Sequence, residues 1–188
     1  LPQGLSVLHV AAQRSADPEI AWVQPDFLGQ AEKLYAPNDP FYSQQWHLAQ
    51  SADAGGDTNA SIHADAAWDI TRGSNTVVIA VIDDSVEWRH PDLTNNIFVN
   101  TREYGSGKQS NGIDDDGNGY VDDWHGWDFR DDDNDPGPAL TNDNHGTACA
   151  GLAAGTANNN LGISGVAPGC RLLAIRRGFS PHFTPSSV

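Results

Sequence analysis

Residues 76–82 (TVVIAVI) form an unbroken apolar run that stops at two aspartates, Asp83 and Asp84. A strand that is apolar on both faces belongs in a parallel sheet covered on both sides. Residues 171–175 (RLLAI) read as a second such strand. Between them, after a long polar stretch, comes a run of small residues beginning at His145 that reads as a tightly packed helix. Strand, long loop, helix, strand is a βαβ unit and predicts an α/β layered fold. Functional groups in such sheets gather at the carboxyl ends of the strands, which is where Asp83 stands.

At 188 residues the chain is long enough for one domain with a sizeable core. Its formal net charge is −15, from 25 acidic and 10 basic residues. That argues against nucleic acid as a partner, since phosphate binding needs clustered Lys and Arg, and it favours cations or basic peptides. The acid is concentrated: 10 Asp fall within residues 114–135, with Arg130 the only Lys or Arg among them. No apolar run approaches the roughly 20 residues that a membrane helix requires. Met is absent and no leader is visible, so the chain reads as a piece of a longer protein. Cys149 and Cys170 do not make a disulfide framework and read as buried free thiols.

Elsewhere the pattern is weaker. Residues 6–10 (SVLHV) alternate like a strand, and residues 19–26 (EIAWVQPD) do so again. Residues 29–39 are polar, carry Pro37 and read as a linker. Ile62, Ala66, Ala67 and Ile70 fall on one face of a short amphipathic helix that Gly73 and Ser74 would end.

The stretch 144–168 carries His145-Gly146-Thr147, a small-residue helix and then Gly165-Val166-Ala167-Pro168. Residues 81–93 (VIDDSVEWRHPDL) carry an apolar strand, an aspartate and His-Pro-Asp-Leu, with His90 seven positions after Asp83. Together these resemble the histidine and aspartate motifs of the subtilisin-like serine peptidases. His145 lies 62 positions beyond Asp83 (145 − 83), and the Asp-rich insertion accounts for that long separation. Asp first, His second and Ser last is the chain order of the subtilisin triad. The chemistry suits these residue types: a serine hydroxyl needs a neutral imidazole to take its proton, and the imidazole needs a carboxylate on its other nitrogen. The resemblance implies that Asp83 orients the ring and that His145 is the general base. It also implies a partial subtilisin-like α/β fold, a parallel sheet with helices on both faces.

The same resemblance organises the rest of the chain. Residues 19–26 are similar to the last strand of an inhibitory pro-segment of α+β type, and residues 38–48 to the start of the mature domain. Residues 1–30 are then the C-terminal part of the pro-segment, 31–37 a processing linker and 38–188 the N-terminal half of the catalytic domain. The doublet Asp83-Asp84 and Cys149 look like the kexin and furin branch, in which the second acid faces the substrate; Asp84 would then favour basic substrate residues. Ser85 stands where the family usually has glycine, and a left-handed turn there would strain it.

Residues 114–120 (DDDGNGY) match the first half of a calcium loop. Asp114, Asp116 and Asn118 supply side-chain oxygens at alternate positions, Gly119 permits the turn and Tyr120 supplies a carbonyl. The twelfth position is His125 instead of glutamate, and Asp122 or Asp123 could substitute. The resemblance implies a second calcium site, made of Asp92, the Asn159 side chain and the carbonyls of Thr156, Leu161 and Ile163. The whole reads as a fragment of a secreted, extracellular, calcium-stabilised serine endopeptidase acting on peptides or proteins, with its own pro-segment as a partner. The motif bearing the nucleophilic serine does not occur within these residues and would lie beyond Val188. The alternative is a catalytically inactive calcium-binding protein that keeps the fold.

Overall fold

A computed structural model describes residues 6–23, 35–48 and 60–177 of the chain. They fall into two compact units, Leu1–Glu32 and Lys33–Val188. In the first, residues 6–10 are helical and not a strand: α1 spans Val7–Ser15. Ser6 begins it, its hydroxyl accepting the N–H of His9 at 3.1 Å. The run Ala11-Ala12-Gln13-Arg14 then continues with good helix formers, and Arg14 sits in the last turn. No residue of α1 is buried. Residues 19–23 form no strand. The end of that predicted strand and residues 31–34 of the predicted linker lie outside the described residues, as does everything after residue 177.

The second unit is built on a parallel sheet in the order β1-β3-β2, with β1 at Val78–Asp83, β2 at Gly126–Asp128 and β3 at Arg171–Arg176. Val78 pairs with Arg171 and Asp83 with Arg176, so both long strands end level. One helix, α3 (His145–Ala154), packs on β1 and β3. The side chains of Val81, Leu172 and Ala174 meet Ala150 and Ala154 of α3, with Val86, Leu93 and Ile97 closing the core around them. Only one face of β1 is covered among the described residues; Val78 and Ile82 are exposed. The other helix of this unit, α2 (Ala64–Trp68), is shorter than the sequence suggests and turns a different face inward. Ala64 and Trp68 are buried with Leu48, Tyr35 and Tyr42, while Ile62 and Ile70 are exposed. The indole decides the orientation, since Trp68 Nε1 donates to the carbonyl of Val166 at 2.8 Å.

The Gly-Val-Ala-Pro segment has a clear physical task. The last carbonyls of an α-helix have no partner within it. Here Gly151 accepts from Gly155, Leu152 from Val166, Ala153 from Ala167, and Ala154 from the side-chain amide of Asn96. This close return requires small residues, for a Cβ on Gly165 would lie 2.5 Å from Cα of Ala154.

The sheet's end is tied by one buried cation. Arg176 is 2 % exposed and donates to Asp128 (2.5 Å), Asp131 (2.6 Å) and Asp143 (3.2 Å), and through Nε to the carbonyl of Asp84 (3.0 Å). Burial alone would lower its pKa; the Asp128 and Asp131 carboxylates outweigh that and raise it. Removing one partner of a buried ion pair leaves the other uncompensated. We expect Arg176→Leu to destabilise the fold by about 3–5 kcal/mol, and Leu172→Ala, at a fully buried site, by about 2–5 kcal/mol. Urea unfolding followed by circular dichroism measures both.

Candidate active site

The N-terminus of α3 lacks a cap from its own chain neighbour: Asn144 makes no side-chain hydrogen bond to the first turn. Asp84, at the turn leaving β1, supplies the cap from across the sheet. Its Oδ2 accepts the N–H of His145 at 3.1 Å, and its Oδ1 accepts those of Gly146 (2.9 Å) and Ser85 (2.8 Å). Partial burial would raise the Asp84 pKa, but these backbone donors outweigh it and hold the carboxyl below its ordinary value. An anion is also favoured at a helix N-terminus by the dipole.

The cap brings the first turn of α3 onto the end of β1. His145 Nδ1 lies 2.8 Å and 2.9 Å from the two carboxylate oxygens of Asp83. The Asp83 side chain is 12 % exposed and that of His145 71 % exposed. The pair is therefore anchored on its carboxylate side, while the ring stands open to solvent. Gly146 sets the approach, because a Cβ there would fall 2.3 Å from the carbonyl oxygen of Ser85 and 2.6 Å from Cβ of Asp83.

Ser85 carries no left-handed strain; its φ is not among the positive values of the described residues. It is fully buried, and its hydroxyl donates to the carbonyl of Asp143 at 2.9 Å, tightening the same junction. Cys149, one turn along α3, is half-buried and not fully buried as its apolar neighbours suggest, with its Sγ 3.7 Å from His145 Nδ1. Desolvation, then the charges of Asp83 and Asp84, raises its pKa. Cys170 is buried and free.

Asp92 is 4 % exposed and holds the loop after α3. Its Oδ1 accepts from Asn159 Nδ2 (2.7 Å), its Oδ2 from the N–H of Ile163 (2.9 Å), and its carbonyl from the N–H of Thr156 (2.8 Å). The N–H of Leu161 closes a turn on Asn159 Oδ1. At Gly162, φ +44°, a Cβ would sit 2.2 Å from Asp92 Oδ2. Asp39, which sequence reasoning passed over, is buried and accepts the N–H groups of Asn158 and Asn159 from the other side. No pattern marks Asp39, because its partners lie about 120 positions away.

The Asp-rich loop does not arrange its oxygens as alternate-position spacing suggests. Asp114 accepts the N–H groups of Gly117, Asn118 and Gly119, which hold its carboxyl below the ordinary range. Gly119 takes the sharp turn at φ +97°. Asp122 is buried and accepts from Asn111 and Gly112. The Tyr120 ring packs on Trp127 at 4.9 Å. His125 turns inward between Trp88 (4.0 Å) and Trp124 (4.1 Å), and burial pushes its pKa down to about 4. Asp116 and Asp123 meet a residue absent from the sequence reading, Glu103. Overpacking at the α3–β1 junction gives a direct check: Gly146→Ala should lower stability by about 1–3 kcal/mol, read from thermal unfolding.

Comparison with known proteins agrees with this architecture. A family model described as the subtilase family matches residues 74–188. The chain is 40% identical over 136 residues to halolysin of Haloferax mediterranei, covering 72% of this chain and 20% of that protein. It is 32% identical over 173 residues to a calcium-dependent protease of a Nostoc species, covering 92% of this chain and 21% of the relative. The chain thus spans about a fifth of the length of these relatives. Among solved structures, the serine protease of Aeromonas sobria superposes with a TM-score of 0.52 at 22% identity, over 79% of this chain and 21% of that one, which supports the fold. With Asp83 and His145 in contact at the end of a parallel sheet and the family model covering most of the second unit, the chain belongs to the subtilase family.

Proposed function

We propose that these residues carry the aspartate and histidine of a serine endopeptidase. The observation that supports it most is the hydrogen bond from His145 Nδ1 to Asp83, with the ring otherwise exposed. A carboxylate at Nδ1 keeps that nitrogen protonated and leaves the lone pair on Nε2. Nε2 then takes the proton of a serine hydroxyl as it attacks the peptide carbonyl, and Asp83 stabilises the imidazolium that forms. The same proton passes to the leaving amine, and a water repeats the sequence to release the acyl group. The serine and the oxyanion donors belong to parts of the protein outside these 188 residues. Asp84 we assign to positioning: its carboxylate is committed to three backbone donors at the mouth of α3.

Calcium is proposed as the structural ion. The buried carboxylate of Glu103, whose Oε2 has no hydrogen-bond partner, fits a hard cation with oxygen ligands. At Asp92 both carboxylate oxygens accept N–H groups, from Asn159 and Ile163, so the predicted oxygen cage is not assembled there. The calcium dependence named for the Nostoc relative points the same way. We propose further that the protein is secreted and that residues 1–30 end an inhibitory pro-segment removed near residues 31–37. No helix among the described residues is long and apolar enough to cross a membrane.

The test is covalent labelling of the full-length natural protein by a serine-directed active-site reagent. We expect one serine outside residues 1–188 to be modified, and His145→Ala to abolish the modification. A folded protein that does not label would overturn the reading. Chelation should lower the melting temperature, since a ligand at 100 times its Kd stabilises by about 2.7 kcal/mol; an unchanged melting temperature in strong chelator would remove calcium from the account.

A further inference from the structure

Ser85 is fully buried, and its hydroxyl donates to the carbonyl of Asp143 at 2.9 Å. The two residues belong to different arms of the site. Ser85 follows the Asp83-Asp84 pair at the end of β1, and Asp143 stands just ahead of Asn144 and His145. Arg176 joins the same two arms by a second route. Its Nε donates to the carbonyl of Asp84 (3.0 Å) and its Nη2 to the carboxylate of Asp143 (3.2 Å). Asp143 is therefore held twice, through its carboxylate by Arg176 and through its carbonyl by Ser85.

A guanidinium is planar and rigid, so acceptors on its edges are kept at a fixed spacing. Its Nη1 is turned to Asp128 (2.5 Å) and Asp131 (2.6 Å), which anchor the group at the end of β2. The run 83–85 is secured residue by residue. The Asp83 carbonyl accepts the N–H of Arg177 (2.7 Å), the Asp84 carbonyl accepts Arg176, and the Ser85 hydroxyl reaches Asp143. On the other arm, two bonds close the turn before α3. The N–H of Leu140 meets Asp143 Oδ2 (3.2 Å), and the N–H of Asp143 meets the Leu140 carbonyl (3.1 Å).

We propose that Ser85 and Arg176 are positioning residues for the Asp83–His145 dyad, acting together through Asp143. They set the separation between the strand end that carries the carboxylate and the segment that carries the imidazole. Asp84 caps the helix mouth, and this bracket fixes the chain that enters it. A misplacement of about 1 Å can cost about 100-fold in rate, so such a bracket has a catalytic consequence. That consequence rests on the peptidase reading above; the hold on the ring is read without any turnover.

The experiment compares the full-length natural protein with Ser85→Ala, Arg176→Lys and Leu172→Ala. It reads the Nδ1–H proton resonance of His145 and the rate of covalent labelling by phenylmethylsulfonyl fluoride, with thermal unfolding alongside. Ser85→Ala removes one hydrogen bond and should slow labelling about two- to tenfold. Arg176→Lys keeps a cation among the aspartates but loses the planar fork, and should slow it about tenfold or more. Both should weaken the His145 resonance. Leu172 lies in the core at the other end of β3. Leu172→Ala should therefore lower the melting temperature, keep the resonance and leave labelling within about twofold. An unchanged resonance and labelling rate in Ser85→Ala would overturn the proposal. So would an equal loss in Leu172→Ala, because the effect would then be one of general stability. If Arg176→Lys does not fold, Ser85→Ala decides alone. A natural protein whose resonance weakens in Ser85→Ala but which never labels at a serine would sink the peptidase reading and support the bracket.

Discussion

The junction between β1 and α3 is the constraint on which the rest of the unit depends. Two adjacent aspartates at a strand end divide the work. Asp84 satisfies the free N–H groups at the start of α3, and Asp83 is left beside the ring of His145. The helix can come this close only because Gly146 has no side chain. Its far end is satisfied by the returning Gly-Val-Ala-Pro segment and by Asn96. A helix held at both ends by groups outside itself has little freedom to slide, and a dyad that must hold its geometry to a few tenths of an ångström needs that.

Arg176 extends the same logic beneath the site. It sits opposite Asp83 in the strand register and binds the carbonyl of Asp84 directly. Through Asp128 it reaches β2, and through Asp143 the approach to α3. The acidity of the chain therefore has internal uses besides any bound cation. The segment running to His145 carries carboxylates that close on a single guanidinium, and others that close on backbone N–H groups.

Much of this was legible in the sequence, and the reasons for the rest are specific. β1 and β3 show as apolar runs because both pair in the parallel sheet and turn one face to the core, although Val78 and Ile82 on the other face of β1 stand exposed, and the histidine and aspartate motifs carry the close packing in their small residues. β2 leaves no such mark: Gly126-Trp127-Asp128 is three residues long, and Gly126 is there because a Cβ would strike the carbonyl of Ala174. The first five described residues alternate as a strand would, but the Ser6 cap and the alanines that follow make them helical. In α2 the isoleucines define an apolar face that the fold ignores, since Trp68 anchors the helix through Val166. Ser85 needed no glycine because the turn does not take its φ into the left-handed region. Asp39 and Arg176 were invisible because their partners lie far away in the chain, and Glu103, whose partner Asp116 is 13 positions on, because a single sequence does not reveal burial.

The central claim is that Asp83 holds the imidazole of His145 through Nδ1. It is tested most directly by proton NMR of the full-length protein, with the histidine ring nitrogens labelled. The account predicts a low-field Nδ1–H resonance assigned to His145 that persists in the natural protein, disappears in Asp83→Asn and weakens in Asp84→Ala. A His145 whose Nδ1–H signal is unchanged by Asp83→Asn would contradict it, for the ring would then be held by some other group.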